Sequence, residues 1–233
     1  MLFCNYRNVA DFCIKIEDNI VQFVNETKFL GVLLDNRLSW ESHINNVVGK
    51  MAKLAGLFNK LKFKINQKTF MTLYNTFVYP YLTYCDIVSG STAKIHLNKI
   101  TVVQKRILRI MCNAKFRDHT AVLYKNTSIL EVSQLYIFNV CLFMYKYSHN
   151  LLPKIFDTMF QITHDLHEYS TRNSCLLVLP LCRTEMRKQF VVYNGAYYYN
   201  KLINLSCINL YAIHSLSMFK RNVKKVIFEN LLY

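Results

Sequence analysis

Apolar residues recur in two rhythms along this chain, and the rhythm changes near residue 39. Up to residue 38 the pattern alternates. Phe12, Ile14 and Ile16 share one side of a period-of-two run, and Ile20-Val21-Gln22-Phe23-Val24 follows the turn signal Asp18-Asn19. Lys28-Phe29-Leu30-Gly31-Val32-Leu33-Leu34 is a third apolar run, closed by Asp35-Asn36. Alternation of this kind predicts short strands. From Trp40 the spacing becomes 4-3-4-3-4-3 through Ile44, Val47, Met51, Leu54, Phe58 and Leu61. That is an a/d stripe on one long helix, with Ser39 as its expected N-cap.

The helical rhythm continues downstream. A second helix is expected over Gln67–Thr76, with Phe70, Leu73, Tyr74 and Phe77 apolar, ending near Pro80 because the residue before a proline leaves the helical region. A third is expected over Ala93–Cys112, with Leu97, Ile100, Val103, Ile107 and Ile110 on one face. Val132–Tyr147 is apolar on all sides and reads as a buried helix. Residues 161–182 are the least regular stretch and read as loop. Arg187–Leu202 reads as a Tyr-rich helix and Ser215–Leu232 as an amphipathic one. The expected fold class is α+β and predominantly α: a small N-terminal antiparallel β element, then a helical bundle and further helices. Segments 1–38, 39–112 and 113–233 are the expected domains.

Composition narrows this picture. Over 233 residues, 52% are hydrophobic and 18% charged, a globular balance. Gly (5) and Pro (3) are too scarce for the many tight turns of a sandwich. Lys+Arg number 29 against 14 Asp+Glu, a formal net charge of +15. Such a surplus repels itself unless an anionic partner screens it. Nucleic acid is the first candidate and an acidic membrane surface the second; a Lys-rich composition bias is the bland alternative.

The eight cysteines, Cys4, Cys13, Cys85, Cys112, Cys141, Cys175, Cys182 and Cys207, form no CxxC pair. The opening Met1-Leu2-Phe3-Cys4-Asn5-Tyr6-Arg7 has no apolar signal core. Reduced thiols and an intracellular location, nuclear or cytoplasmic rather than secreted, are expected. The apolar stretches are interrupted by Asn, Thr and Gln, by Lys146 and by Pro80, so no membrane partner is expected.

The most specific segment is Lys28-Phe29-Leu30-Gly31-Val32 followed by Asp35, Leu38, Trp40, His43 and Ile44. It resembles the "K-F-L-G-V-x-x-D-x-x-L-x-W-x-x-H-I" stretch of the reverse transcriptases of non-LTR (LINE-type) retrotransposons. In that family the stretch follows the palm, as a β-hairpin called the primer grip that leads into the first thumb helix. The resemblance continues in Pro80-Tyr81-Leu82-Thr83-Tyr84, and in Leu97 with Gln104, Lys105, Arg106, Leu108, Arg109 and Ile110. It includes Thr171-Arg172, Pro180, Arg183-Thr184, Phe190, Gly195, Asn200 and Leu202, and ends with Ser217, Phe219-Lys220 and Val223-Lys224. Ser89-Gly90 stands where the family has Trp-Gly, Tyr199 where it has the Trp of "W-N", and Asn204 near the place of a Pro.

This resemblance implies a palm remnant over 1–38, a thumb-like helical domain over 39–112 and a helical C-terminal extension over 113–233. Phe29, Leu30, Gly31 and Trp40 would be the primer-grip-like residues. Read from the residues alone, Gly31 within a strand permits close approach of another backbone, and the same pattern also fits an ordinary hairpin with a Gly bulge.

Family polymerases hold two Mg²⁺ ions with a Tyr-x-Asp-Asp turn and a third aspartate. No Asp-Asp pair occurs here. Tyr84-Cys85-Asp86-Ile87 imitates the turn but lies downstream of the primer-grip motif, so Asp86 reads as an ordinary loop residue. Met1-Leu2-Phe3 resembles the strand just after the catalytic turn. The expectation is a truncated, catalytically incomplete reverse transcriptase fragment with no catalytic residues and no cofactor, Mg²⁺ serving only the intact family enzyme.

Basic residues are the candidate contacts to the nucleic-acid backbone. Lys53, Lys60 and Lys64 share a face of the first helix; Lys99, Lys105, Arg106 and Arg109 lie on the third; Lys220, Arg221, Lys224 and Lys225 cluster on the last. Phosphate contacts give affinity without sequence preference. The expected partner is an RNA–DNA hybrid or duplex, with the remaining polymerase portion as a second partner. His164-x-x-His167 with Cys175 and Cys182 is too loosely spaced for zinc, and no metal site is expected. Tyr193, Tyr197, Tyr198 and Tyr199 suit core packing better than base stacking. The alternative reading is a helical interaction module pairing through the Trp40–Leu61 stripe, or a decayed element without function.

Overall fold

A computed structural model describes residue 3 and residues 14–17, 19–165, 175–205 and 215–229. The expectations at Phe12, Asp18, His167, Thr171 and Arg172, and at Met1 and Leu2, lie outside these residues. So do Cys4, Cys13 and Cys207. The described residues group into two compact units, one from 1–81 with 92–118 and one from 82–91 with 119–233.

The first unit begins with two small antiparallel hairpins. β1 (Ile14–Ile16) pairs with β2 (Asn19–Val21), and β3 (Glu26–Phe29) with β4 (Val32–Asp35), in the register Phe29↔Val32 to Glu26↔Asp35. The apolar run Lys28–Leu34 is itself a hairpin, as the resemblance implied for this stretch. Leu30 (φ 46) and Gly31 (φ 85) form its two-residue turn. Positive φ at both central residues is the turn geometry that matches strand twist, and Gly adopts it without strain. Gly31 is therefore a turn residue, which corrects its reading as a strand glycine.

The chain then enters α1 (Glu41–Leu61) through a tightly wound junction. Leu38 (φ 52) and Trp40 (φ 65) are both left-handed. Such conformations persist only where surroundings hold them. Here the Asp35 carboxylate accepts the backbone N–H groups of Ser39 at 3.0 Å and Trp40 at 3.1 Å, and Thr92 Oγ1 donates to the Ser39 carbonyl at 2.9 Å. Trp40, not Ser39, is the N-cap; the Ser39 hydroxyl accepts from Glu41 N–H at 3.3 Å.

α1 buries His43, Ile44, Val47, Met51, Ala55 and Phe58, and it packs against α5. Leu54 and Leu61 of the predicted stripe are only half-buried. The buried set steps 3-4-4-3 from Ile44 onward, the drift of a straight helix away from a strict heptad. With the stripe occupied inside the unit, it is not available as a coiled-coil surface.

α2 (Gln67–Leu73), a π-helical turn (Tyr74–Val78) and α3 (Tyr79–Thr83) form one continuous helical path. This corrects the expected end near Pro80. The wide turn carries the bond from Tyr79 N–H to Tyr74 O, so Pro80 falls in the first turn of α3, where a missing N–H is tolerated. α4 (Asp86–Ser89) follows, and then α5 (Lys94–Met111), as predicted. Between the π-helical turn and α5, Gln104 Nε2 donates to Tyr74 Oη at 3.0 Å, both side chains fully buried.

In the second unit, α6 (Thr120–Thr127) ends at Ser128 (φ 54), and α7 (Val132–Ser148) begins with Gln134 Oε1 accepting from Glu131 N–H at 3.1 Å. α7 is buried on nearly every face, from Val132 through Leu135, Phe138 and Cys141 to Tyr145. Taken together, Thr120–Ser148 is long and apolar enough to cross a membrane by length and composition. It is broken at Ser128, and 61% of its apolar window is buried inside the protein.

A short 3-10 turn at Lys154–Phe156 precedes the expected loop, and a second at Thr163–Asp165 and a bridge between Ile162 and Leu177 occupy part of it. The predicted helix from Arg187 is two helices, α8 (Glu185–Lys188) and α9 (Val191–Asn204), because Phe190 is extended (ψ 148) as the N-cap of α9. α10 (Leu216–Phe228) packs on α7, with Tyr145 and Phe219 stacked at 4.5 Å. The α+β, mainly helical class expected from the pattern is what the chain adopts.

Candidate nucleic-acid interface

The tip of the β3–β4 hairpin carries Phe29 and Leu30 outward, while Val32 beside it is buried. Phe29 is 62% and Leu30 74% exposed, and Gly31 is exposed beside them. An exposed apolar tip is unusual for a core-forming hairpin, and packing within the hairpin does not explain it. The far end of the hairpin is fastened to the helix start. The Ser42 hydroxyl donates to the Glu26 carboxylate, joining β3 to α1, and Asp35 closes the other strand onto the helix start. Burial alone would raise the Asp35 pKa, but the N–H groups of Ser39 and Trp40 hold it below its ordinary value.

Trp40, expected beside Phe29 and Leu30 as a contact residue, is 8% exposed. It belongs to the core at the junction, so the structure brings together three of the four primer-grip-like residues and removes the fourth. Asp35 is the residue whose job the pattern did not state. Its spacing to Trp40 is the signal: a carboxylate four or five residues before a helix start can reach orphaned N–H groups.

His43 is buried, and among the described residues its Nδ1 has no hydrogen-bond partner. Desolvation, and secondarily Lys50, lowers its pKa below the ordinary histidine value.

The basic candidates divide. Lys53 and Lys60 are exposed and stand seven residues apart on one face of α1. Lys64 is exposed but lies in the turn after α1, which ends at Leu61; it does not share the helix face. Arg106 on α5 is exposed. Lys105 is half-buried. Lys99 is committed to α1, donating to Glu41 at 3.1 Å and Asn45 at 3.0 Å. Arg109 Nε donates to the Asp118 carbonyl at 3.1 Å, closing the loop after α5. In the second unit Lys220, Arg221 and Lys225 are exposed or nearly so on α10. Lys224 is half-buried over the Phe228 ring at 5.9 Å, and desolvation lowers its pKa.

Other motif residues are structural. Asn200 brackets the backbone of Leu177, accepting from its N–H and donating to its carbonyl, both at 2.8 Å. A Cβ at Gly195 would meet Met144 Sδ at 2.8 Å and Phe160 at 2.9 Å, so only glycine lets α9 approach this closely. Tyr199, in the place of a tryptophan, and Leu202 are both 1% exposed and fill the core. Thr184 caps α8 by accepting from Arg187 N–H at 3.3 Å.

Asp86 is not a loop residue. It opens α4, is buried, and accepts from Asn139 Nδ2 at 2.5 Å. Burial pushes its carboxyl up to about 7, against the opposing pull of the Asn139 bond. A carboxyl so placed, bonded to an amide, does not suit a Mg²⁺ ligand, and among the described residues no three His, Cys, Asp or Glu side chains converge as a metal site. His164 and Cys175 are exposed.

No protein-family model and no solved structure matches the chain. Curated proteins do. The RNA-directed DNA polymerase from mobile element jockey of Drosophila funebris is 33% identical over 114 residues, 46% of this chain and 12% of that polymerase. Its Drosophila melanogaster counterpart is 30% identical over 116 residues, again 46% and 12%. The probable RNA-directed DNA polymerase from transposon X-element of Drosophila melanogaster is 25% identical over 122 residues, 50% of this chain and 13% of that protein. The chain thus spans only about an eighth of the length of these relatives. Over about half of its own length, the chain resembles the RNA-directed DNA polymerases of non-LTR retrotransposons.

Proposed function

We propose that this chain supplies the nucleic-acid-gripping part of a non-LTR retrotransposon reverse transcriptase. In this reading the β3–β4 tip braces a primer terminus, the α1–α5 unit acts as thumb, and the second unit is the C-terminal extension. The observation that carries the reading is the junction at residues 28–44. An exposed apolar hairpin tip, fastened by Asp35 to a long helix bearing Lys53 and Lys60, coincides with the most specific stretch of the resemblance.

Phosphates of an RNA–DNA hybrid or duplex would meet Lys53, Lys60 and Arg106, while Lys99 and Arg109 hold the unit together. Apolar contact from Phe29 and Leu30 packs against the sugars without reading sequence. Nucleotide transfer needs clustered aspartates around two metal ions, and these 233 residues contain no Asp-Asp pair. The chain alone therefore grips but does not polymerise, and it works inside the cell beside the rest of a polymerase.

Filter binding of a short RNA–DNA hybrid across salt tests this. Engagement of about six phosphates weakens binding by ~10³-fold between roughly 50 and 200 mM salt. The variant Lys53→Glu/Lys60→Glu/Arg106→Glu should weaken binding and flatten the salt dependence by about one slope unit for each cation replaced. Affinity indifferent to salt, or unchanged in the variant, rejects the reading, as does nucleotide incorporation by the chain alone.

A further inference from the structure

The second unit carries a surface that backbone gripping does not use. Steps of three, four and four residues place Phe190, Tyr193, Tyr197 and Lys201 on one side of α9 and its N-cap. Phe190 is 53% and Tyr197 39% exposed. The rings of Tyr193 and Tyr197 are parallel to within 7°, with centroids 6.4 Å apart, and Lys201 Nζ lies 5.7 Å from the centre of the Tyr197 ring.

At the Phe190 end of this row a cavity of about 440 Å³ opens. Pro180, Cys182, Met186, Arg187, Phe190 and Tyr193 wall it. That volume lies within the roughly 300–1,000 Å³ of small-molecule sites. Between residues 180 and 201 the charged side chains are Arg183, Arg187, Lys188 and Lys201 against Glu185 alone, and Glu185 is already paired with Lys188 at 2.6 Å.

These features select one kind of occupant. An apolar cavity by itself would admit a peptide. A row of aromatic faces flanked by surplus cations complements flat apolar rings joined by anions, which is the chemistry of an unpaired nucleic-acid strand. A duplex stacks its bases on one another and has no free face to offer. An acidic peptide would satisfy the cations but not the ring faces.

We propose that α9 and the adjoining cavity form a binding site for single-stranded nucleic acid. One base enters the cavity against Phe190 and Tyr193, and a further base stacks on Tyr197. Arg187 in α8 and Lys201 towards the end of α9 each take a different phosphate along the strand. This site is distinct from the hybrid grip in its unit, its residues and its ligand.

The test uses the full chain and fluorescence anisotropy. Probes are an oligothymidylate of about 12 nucleotides, an abasic oligonucleotide of equal length and charge, polyglutamate, and the RNA–DNA hybrid. Stacking makes the oligothymidylate bind about 5- to 150-fold more tightly than the abasic strand. Tyr197→Ala erases most of that margin, Tyr197→Phe retains it, and Arg187→Glu weakens both strands. Neither position lies in the first unit, so hybrid binding and its salt slope stay unchanged. Equal affinity for the base-bearing and abasic strands overturns the proposal, as does a margin that survives Tyr197→Ala. Polyglutamate binding as tightly as oligothymidylate would reassign the surface to acidic peptides. Loss of hybrid binding in the Lys53, Lys60 and Arg106 variant, with the base-dependent margin intact, separates the failure of one reading from that of the other.

Discussion

Asp86 shows how much one side chain can owe to a distant partner. It is buried at the start of α4 and bonded to Asn139, with Cys85 and Tyr136 as the neighbouring titratable groups. Its carboxyl is raised from 3.8 to about 7 in the folded protein. An unfolded chain releases that proton near 4, so the stability Asp86 contributes is fully present below about pH 4 and is lost as pH rises through about 7. At roughly 1.4 kcal/mol per unit the whole loss is on the order of 4 kcal/mol, of which about 3 falls between about pH 5 and 8. Thermal unfolding at about pH 5 and about pH 8 should show this decline in the natural protein, and Asp86→Asn should remove most of it. A natural protein and variant with parallel pH curves would refute the assignment. Nothing in Tyr84-Cys85-Asp86-Ile87 announces this burial, because Asn139 lies 53 residues away. The work of Asp35, by contrast, is local: its partners are four and five residues on, and its spacing to Trp40 is part of the motif.

At the scale of elements, α1 separates what periodicity reads from what packing decides. The apolar spacing located the helix to within a residue or two and identified Ile44, Val47, Met51 and Phe58 as its buried side. Past Met51, a straight helix packed on α5 rotates its buried line from Leu54 to Ala55, which is fully buried while Leu54 is not. Ala55→Lys should therefore destabilise the protein by about 3 kcal/mol or more. Leu54→Lys should cost only about 1 kcal/mol. Urea denaturation of the two variants compares them directly, and a larger loss at Leu54 would restore the heptad reading. The path from α2 to α3 departed from expectation for a related reason. Proline normally ends a helix, but a single π-helical turn upstream reset the hydrogen-bond pattern, and no local residue pattern signals such a turn.

The whole molecule is governed by its charge of +15. With 29 cationic and 14 anionic side chains, the ion pairs among the described residues, such as Lys99–Glu41 and Lys188–Glu185, cannot neutralise the excess. Added salt screens that self-repulsion. Raising NaCl should therefore raise the Tm, by about 2–4 °C for each kcal/mol of repulsion relieved, while weakening nucleic-acid binding. Scanning calorimetry across salt checks the first half. A Tm that falls with salt would mean that specific ion pairs, not repulsion, dominate the surface.

The sequence by itself determined the local features: hairpin and helix over residues 28–44, the positions of α1, α5 and α7, the excess of positive charge and the family resemblance. Each rests on periodicity, turn chemistry or spacing within about one element, which neighbouring residues can encode. Only the tertiary structure decided which cations stay exposed and which, like Lys99 and Arg109, are spent on internal contacts. It also turned Trp40 inward and Phe29 outward, buried Asp86, and set the tyrosines of α9 beside a cavity. Those outcomes depend on which surfaces meet across dozens of residues, and burial is a property of that meeting rather than of any stretch of chain.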